Sequence, residues 1–126
     1  METMRTSRKF GSAGILAAAA FLAMVSAPAP ATAATPWDRC PHGSLCLFSG
    51  ADGTGTIGIF KVGAPDLRRF GLDNNVRSVW NRSPRVAYGY DGFNYTGSNV
   101  WQRPAFDGPS NFVTDSGVRT SSARVG

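Results

Sequence analysis

The sequence contains one short loop twice. DNNVRSV at residues 73–79 is followed by DSGVRTS at residues 115–121, and Val76 and Val118 are 42 positions apart. Further pairs keep the same spacing: Phe48 and Tyr90, Gly53 and Tyr95, Thr54 and Thr96, Gly55 and Gly97, and Phe70 and Phe112. An internal repeat of this length indicates two copies of one supersecondary unit, which pack together because neither can bury its apolar face alone. We therefore predict two halves related by a 42-residue repeat.

The segments within each copy are typical of β-strands. Short apolar or aromatic runs are bounded by Gly, Pro, Asn or Asp: LCLF, TIGIFKV, VRSVWN, VAYGY and NVWQ. No window keeps the i, i+3, i+4, i+7 pattern of a substantial helix. One helical turn is expected in APDLRRFG, where Pro65 and Asp66 favour a start and Gly71 an end. The sequence therefore predicts an all-β fold.

The first 33 residues have the parts of a secretory signal peptide in the usual order. Three basic residues precede the apolar run AGILAAAAFLAMV at 13–25, and Ala31 and Ala33 form a small-residue cleavage site. We predict that residues 1–33 are removed and that 34–126 form one secreted domain. No other stretch approaches a transmembrane length, so no membrane anchor is expected.

Net charge gives little support for a nucleic-acid partner. Three of the 13 basic residues and one of the eight acidic residues lie in the signal peptide, which leaves 10 against seven, or +3. Nucleic-acid binders usually concentrate positive charge on one face. Only RSVWNRSPR at 77–85 resembles such a segment, and Trp80 there is expected in a core with solvated arginines around it. We predict no nucleic-acid partner.

The two cysteines lie close together in CPHGSLC, residues 40–46. An even number of cysteines in an exported protein indicates a disulfide, so we predict a Cys40–Cys46 bond. A zinc site or a catalytic thiol lacks partners, because His42 is the only histidine. No Ser–His–Asp arrangement can be built on His42 alone, and we predict that the protein is not an enzyme.

Two motifs resemble the βγ-crystallin family. YDGFNYTG at 90–97 fits its hairpin signature of aromatic, four residues, aromatic, one residue and glycine. NNVRSV at 74–79 fits its loop of two Asn or Asp, two variable residues and Ser or Thr. The resemblance implies a βγ-crystallin-like sandwich of two Greek-key halves over about residues 40–125. The first half departs from the signature at Gly53, where the second aromatic is expected.

Calcium-binding members of that family build each site from both loops. By position, the resemblance implies candidate calcium ligands at Asn74, Asn75, Ser78, Asp115 and Thr120. Oxygen ligands of this kind suit calcium. The alternative is that these side chains stabilise their own turns, and Arg77 and Arg119 place cations nearby. A calcium-binding structural or stress protein is therefore one candidate function.

The segment CPHGSLC resembles the N-terminal disulfide loop of small secreted inhibitors related to the Streptomyces metalloproteinase inhibitor, which share this fold. That resemblance implies a secreted, monomeric peptidase inhibitor whose partner is a secreted metalloprotease. The archetype presents its reactive bond on a loop closed by a second disulfide, for which this chain has no cysteines. A small basic secreted protein also fits a third class, an antimicrobial or toxin-like protein.

The best candidate for an inhibitory loop is SNVWQRPAFDGPSNF, residues 98–112. Pro104 and Pro109 stiffen the chain and remove backbone donors, so the segment makes a poor central strand. Trp101 and Phe106 are large apolar side chains of the kind that dominate interfaces, and Arg103 adds a charge. Trp101 has an alternative place in the core, aligned with Ile59 by the repeat. Phe106 aligns with no aromatic position and is the stronger candidate.

Overall fold

The short apolar segments form strands, as predicted. The computed structural model describes residues 33–126, so the signal peptide predicted for residues 1–33 lies outside the described residues except for Ala33. Within that range the strands are β1 Leu45–Phe48, β2 Ile57–Phe60, β3 Gly63–Ala64, β4 Ser78–Asn81, β5 Ala87–Tyr90, β6 Asn99–Arg103, β7 Ser110–Asn111 and β8 Ser122–Val125. Single 3-10 turns cover Pro36–Arg39, Ala51–Gly53, Leu67–Phe70, Phe93–Tyr95 and Gly117–Arg119. The all-β prediction is confirmed.

The strands form two four-stranded antiparallel sheets. Sheet A has the order β2-β1-β4-β7, and sheet B has the order β3-β8-β5-β6. If β1–β4 are called the first half and β5–β8 the second, each sheet takes three strands from one half and one from the other. The exchanged strands are β3 and β7, each only two residues long. Neither half therefore completes a sheet without the other.

The hairpins of the two halves correspond at the expected spacing. β1 and β5 begin at residues 45 and 87, and β2 and β6 begin at residues 57 and 99. A 3-10 turn joins the strands in each hairpin, with Asp52 at φ 56° in the first and Asn94 at φ 57° in the second. Asp and Asn are the side chains that tolerate this left-handed conformation best.

The spacing changes before the last strand of each half. β4 begins at residue 78 and β8 at residue 122, which are 44 positions apart. The hydroxyl of Ser78 accepts an N–H from its own hairpin turn and donates to a carbonyl of that turn. Ser122 makes the same two bonds in the second half. Ser122, rather than Thr120, is thus the counterpart of Ser78, and a constant 42-residue repeat is not confirmed.

The main core lies between the two sheets and pairs large residues with glycines. Leu47 is opposite Gly58 in sheet A, whereas Trp101 is opposite Gly89 in sheet B. A Cβ atom at Gly89 would collide with the Trp101 indole, so the glycine leaves room for the ring. A register shift in the β5–β6 pairing makes Gly58, not Ile59, the position that corresponds to Trp101.

A second apolar cluster covers the outer face of sheet A. Leu45 and Leu47 of β1 point into the main core, and Cys46 and Phe48 alternate to the outer face. The predicted Cys40–Cys46 disulfide is present there. The remaining members of this cluster are Trp37, Ile57 and Trp80. The main core buries one face of β1, and the N-terminal segment with the disulfide loop buries the other, so all four residues of the strand are buried.

Candidate functional site

An exposed turn after β6 presents the side chain of Phe106. Residues 104–109 connect β6 to β7, and 62% of Phe106 is exposed. Its φ angle of 53° is left-handed, a conformation that costs a non-glycine residue about 1–2 kcal/mol. Its backbone N–H donates to the carbonyl oxygen of Ser83 at 3.0 Å. The turn is therefore held in an unfavourable conformation that directs an apolar side chain to the surface.

A buried amide, Asn81, fixes this turn. Asn81 is only 1% exposed. Its Nδ2 donates to the carbonyl oxygens of Arg103 at 3.2 Å and Pro104 at 2.9 Å. Nδ2 also donates to the carbonyl oxygen of Arg85, and Oδ1 accepts from the N–H and hydroxyl of Ser83. An unpaired buried polar group costs about 1–3 kcal/mol. The network therefore holds residues 83–85 and 103–104 in one position relative to Asn81.

Sequence reasoning did not identify Asn81 as a functional residue. The available signal was a single amide at the end of the apolar strand SVWN, where a core residue is expected. Its hydrogen-bond partners lie up to 23 positions away, so no local pattern shows them.

A groove separates the Phe106 turn from the disulfide loop, residues 40–46. Its volume is about 180 Å³, and it opens to solvent. The lining residues are His42, Trp80, Asn81, Arg82, Phe106 and Asp107. The groove is therefore lined both by the predicted inhibitory residue Phe106 and by the disulfide loop that resembles the inhibitor family.

Arg82 fixes the side of the groove next to the disulfide loop. Its guanidinium carbon lies 4.4 Å from the centroid of the Trp80 ring, and its Nη1 donates to the carbonyl oxygen of Cys40 at 2.7 Å. Its backbone N–H donates to the carbonyl of Ser44 at 2.9 Å and its carbonyl accepts from Gly43 at 3.0 Å. The disulfide loop is thus paired with the chain that continues from β4.

Three consecutive residues, the last two of β4 and the residue that follows it, therefore organise the groove. Trp80 belongs to the apolar cluster on the outer face of sheet A. Asn81 turns inward and holds the Phe106 turn, and Arg82 holds the disulfide loop. The alternating directions of side chains along a strand place these roles side by side.

The other two residues of the predicted inhibitory loop are less exposed than Phe106. Trp101 is 6% exposed and belongs to the main core, where its Nε1–H donates to the hydroxyl of Thr120 at 2.8 Å. Arg103 is half-buried, and its guanidinium carbon lies 4.9 Å from the centroid of the Phe112 ring. Trp101 thus takes the core position that was its alternative interpretation, and Phe106 remains as the exposed member.

The two loops with the candidate calcium ligands are adjacent. The backbone N–H of Asn74 donates to the carbonyl oxygen of Thr120 at 2.9 Å. The Ser78 hydroxyl is bonded to its hairpin turn, and the Thr120 hydroxyl lies between Trp101 and the Ser116 carbonyl. These two hydroxyl groups therefore already have protein partners.

The amide and carboxylate groups of the same loops differ in their surroundings. Asn75 Nδ2 donates to the carbonyl oxygen of Gly71 at 3.2 Å, and Asp115, 72% exposed, lies 3.8 Å from a guanidinium nitrogen of Arg119. One oxygen of the neighbouring Asp73, Oδ1, is buried without a hydrogen-bond partner. No group of three or more His, Cys, Asp or Glu side chains suited to a metal occurs within residues 33–126.

Comparison with solved structures identifies the class of fold. A βγ-crystallin from Ciona intestinalis is 18% identical, with a TM-score of 0.57 over 67% of this chain and 100% of that one. βγ-Crystallin domains from Clostridium beijerinckii and Flavobacterium johnsoniae are 14% and 21% identical, with TM-scores of 0.54 and 0.53. They cover 65% and 64% of this chain and 95% and 91% of their own. The domain is therefore βγ-crystallin-like.

Sequence comparison identifies the family within that class. The profile of peptidase inhibitor family I36 matches residues 33–102, more than half of the chain, and a search of curated proteins finds no significant match. This chain belongs to peptidase inhibitor family I36. The matched segment contains the disulfide loop and Arg82 and ends before the Phe106 turn. Within residues 33–126, no helix is long and apolar enough to cross a membrane.

Proposed function

We propose that this protein is a secreted, monomeric inhibitor of a peptidase, and that the target is a metallopeptidase. Family membership supports the inhibitory activity. The resemblance of CPHGSLC to the loop of inhibitors related to the Streptomyces metalloproteinase inhibitor supports the kind of target. Inhibition by binding needs no catalytic group, which agrees with the predicted lack of enzymatic activity.

Secretion is supported by two independent features. The order of charge, apolar run and small residues in 1–33 is that of a signal peptide. The Cys40–Cys46 disulfide is a bond that persists in oxidising compartments. We propose that the secreted form consists of residues 34–126 as one domain.

The observation that carries the inhibitor proposal is the geometry of Phe106. The side chain is mostly exposed, while its backbone is bonded to Ser83 and the preceding carbonyl groups are bonded to Asn81. A segment fixed before binding loses little conformational entropy when it meets a peptidase. A large exposed aromatic residue then supplies apolar contact area of the kind found at interface hot spots.

The proposal is tested by titrating thermolysin, as a representative metallopeptidase, with residues 34–126. We expect micromolar or stronger inhibition by the wild type. Phe106→Ala should weaken inhibition about ten-fold, which corresponds to about 1.4 kcal/mol. The melting temperature should change little, because the side chain is 62% exposed.

Val113→Ala is a matched control for this substitution. Val113 is an apolar residue that is 96% exposed on another loop of the second half. Its replacement should leave inhibition unchanged. Equal losses for the two variants would contradict a specific role of Phe106, and a wild type inactive against metallopeptidases at micromolar concentration would contradict the proposed target.

A calcium-binding structural or stress protein is the second candidate function. It is favoured by the unpartnered Oδ1 atom of Asp73 next to two adjacent loops, joined by the bond from Asn74 to Thr120. Since most candidate ligands are uncharged, the dissociation constant should be on the order of 10⁻⁴ M or weaker. Calorimetry and thermal melts with calcium, on wild type and Asp73→Asn, test this function. No heat and no melting shift at millimolar calcium would exclude it.

A further inference from the structure

The groove beside the Phe106 turn has the size of a site for one side chain. Its volume of about 180 Å³ is below the roughly 300–1,000 Å³ of pockets that bind small molecules. The rings of Trp80 and Phe106 supply apolar surface in its lining. Such a groove suits a single large apolar side chain of a protein partner.

The two sides of the groove carry opposite charge. Arg82 lies on the side of the disulfide loop together with His42, and Asp107 follows Phe106 on the other side. A guanidinium has five N–H donors, and the only side-chain hydrogen bond of Arg82 among the described residues goes to Cys40. Its other donors are available to a carboxylate, for which guanidinium geometry is well matched. The Arg82 side of the groove therefore favours an acidic group next to the apolar side chain, away from Asp107.

Both sides of the groove are fixed before any partner binds. The Asn81 network holds the turn, and the disulfide with the Arg82 bond to Cys40 holds the loop. Arg82 is also fixed by its stacking on Trp80. Trp and Arg in preformed, well-packed surroundings are the residues that most often dominate protein interfaces.

We propose that this groove is a second contact with the peptidase, and that it binds a large apolar side chain of the peptidase adjacent to a carboxylate. The apolar group packs against Trp80 and Phe106, and the carboxylate pairs with Arg82. The contact is continuous with the inhibitory turn because Phe106 lines both. The identity of the partner rests on the proposed inhibitor function, whereas the chemistry of the groove can be measured separately.

The first experiment measures that chemistry with small probes and no peptidase. The ¹⁵N-labelled protein, residues 34–126, is titrated with acetyl-Leu-Glu-amide and with acetyl-Leu-Lys-amide. We expect saturable shifts of the Trp80 indole and Arg82 amide signals with the acidic probe at millimolar concentration. The basic probe should bind about three-fold more weakly, which is the size expected for an exposed ion pair. No shifts, or equal binding of both probes, would overturn the proposed groove chemistry.

The second experiment compares variants as inhibitors of thermolysin. Arg82→Gln should raise the inhibition constant about ten-fold, and His42→Ala, at an exposed position of the loop, about three-fold. Arg124→Gln is the matched control, since Arg124 also stacks on an aromatic ring, Tyr88, but lies on sheet B. Its inhibition constant should stay that of the wild type.

The outcomes separate this inference from the inhibitor proposal. If the wild type inhibits and Arg82→Gln and His42→Ala inhibit equally well, the groove is not a contact with the peptidase, while the inhibitor function stands. If the wild type does not inhibit, the peptidase is not the partner, and the probe titration alone decides whether the groove has the proposed chemistry. Melting curves of Arg82→Gln show whether a loss reflects unfolding, and His42→Ala then provides the decisive comparison.

Discussion

The two halves of the domain differ most in the connection between their second and third strands. Residues 61–62 join β2 to β3 in the first half, whereas residues 104–109 join β6 to β7 in the second. The additional residues form the turn that exposes Phe106. The largest difference in connection length between the halves therefore lies at the turn that carries the candidate inhibitory residue.

The residue that bonds to each connection also differs between the halves. The short connection is bonded by one backbone group, since the N–H of Val125 donates to the carbonyl of Val62 at 2.8 Å. Asn81 is the residue of the first half that corresponds to Val125, and its side chain reaches the carbonyl of Pro104. A longer connection has more backbone groups to satisfy, and an amide with two donors and an acceptor meets this need.

The outer faces of the two sheets differ as well. The outer face of sheet A is covered by the disulfide loop and the turn Pro36–Arg39. On the corresponding face of sheet B, the Arg124 guanidinium lies over the rings of Tyr88 and Tyr90, and all three residues remain half-exposed. The groove lies beside this covered face. The disulfide loop lines one side of it and the Phe106 turn lines the other.

The most severe test of the comparison makes the first half resemble the second. Asn81→Val should lower the free energy of unfolding by on the order of 3 kcal/mol, because buried groups of Ser83 and the turn lose their partner. It should also abolish most of the inhibition, since the turn is no longer fixed. Urea denaturation, inhibition assays and hydrogen exchange at the Phe106 amide measure these effects.

Val125→Asn is the reciprocal control. It places an amide in the second half, where the short connection offers a different set of backbone groups, and should also destabilise the fold. Exchange at the Phe106 amide should remain slow at conditions where the variant is folded. If both variants affect that amide equally, Asn81 has no special role in fixing the turn.

Much of the fold could be predicted from local patterns. Alternating short apolar runs indicated the strands, and two cysteines in an exported chain indicated the disulfide. The turn around APDLRRFG also occurs as predicted, since Asp66 accepts the N–H of Arg68 at its start and Gly71, at φ 71°, ends it. These features depend on residues that are near one another in the sequence.

The missed features depend on contacts between distant residues. The register shift in the β5–β6 pairing moves the counterpart of Trp101 by one position, which reverses the face of the sheet. The two additional residues before β8 make Ser122, not Thr120, the counterpart of Ser78. The groove depends on hydrogen bonds from Asn81 to Arg103, 22 positions away, and from Arg82 to Cys40, 42 positions away.

A smaller effect on stability and inhibition is expected when the disulfide on the outer face of sheet A is removed. The double variant Cys40→Ser with Cys46→Ser opens a loop with a separation of six residues and should lower the free energy of unfolding by roughly 2 kcal/mol. Inhibition should fall several-fold, because Arg82 then bonds to a mobile carbonyl. Denaturation curves and inhibition constants test this, and unchanged values for both would show that the disulfide does not support the groove.

The smallest effect is expected on the open face of sheet B. Arg124 lies 5.1 Å from the centroid of the Tyr88 ring, and its Nε donates to the Tyr90 hydroxyl at 3.2 Å. Its guanidinium stays in contact with solvent, so Arg124→Gln should shift the melting temperature by no more than about 3 °C. The same change at Arg82 removes a stacked guanidinium that is also bonded to the disulfide loop, and should weaken inhibition. Melting curves and inhibition constants for the two variants compare one substitution on two sheets. If Arg124→Gln weakened inhibition more than Arg82→Gln, the contact with the peptidase would lie on sheet B and not on sheet A.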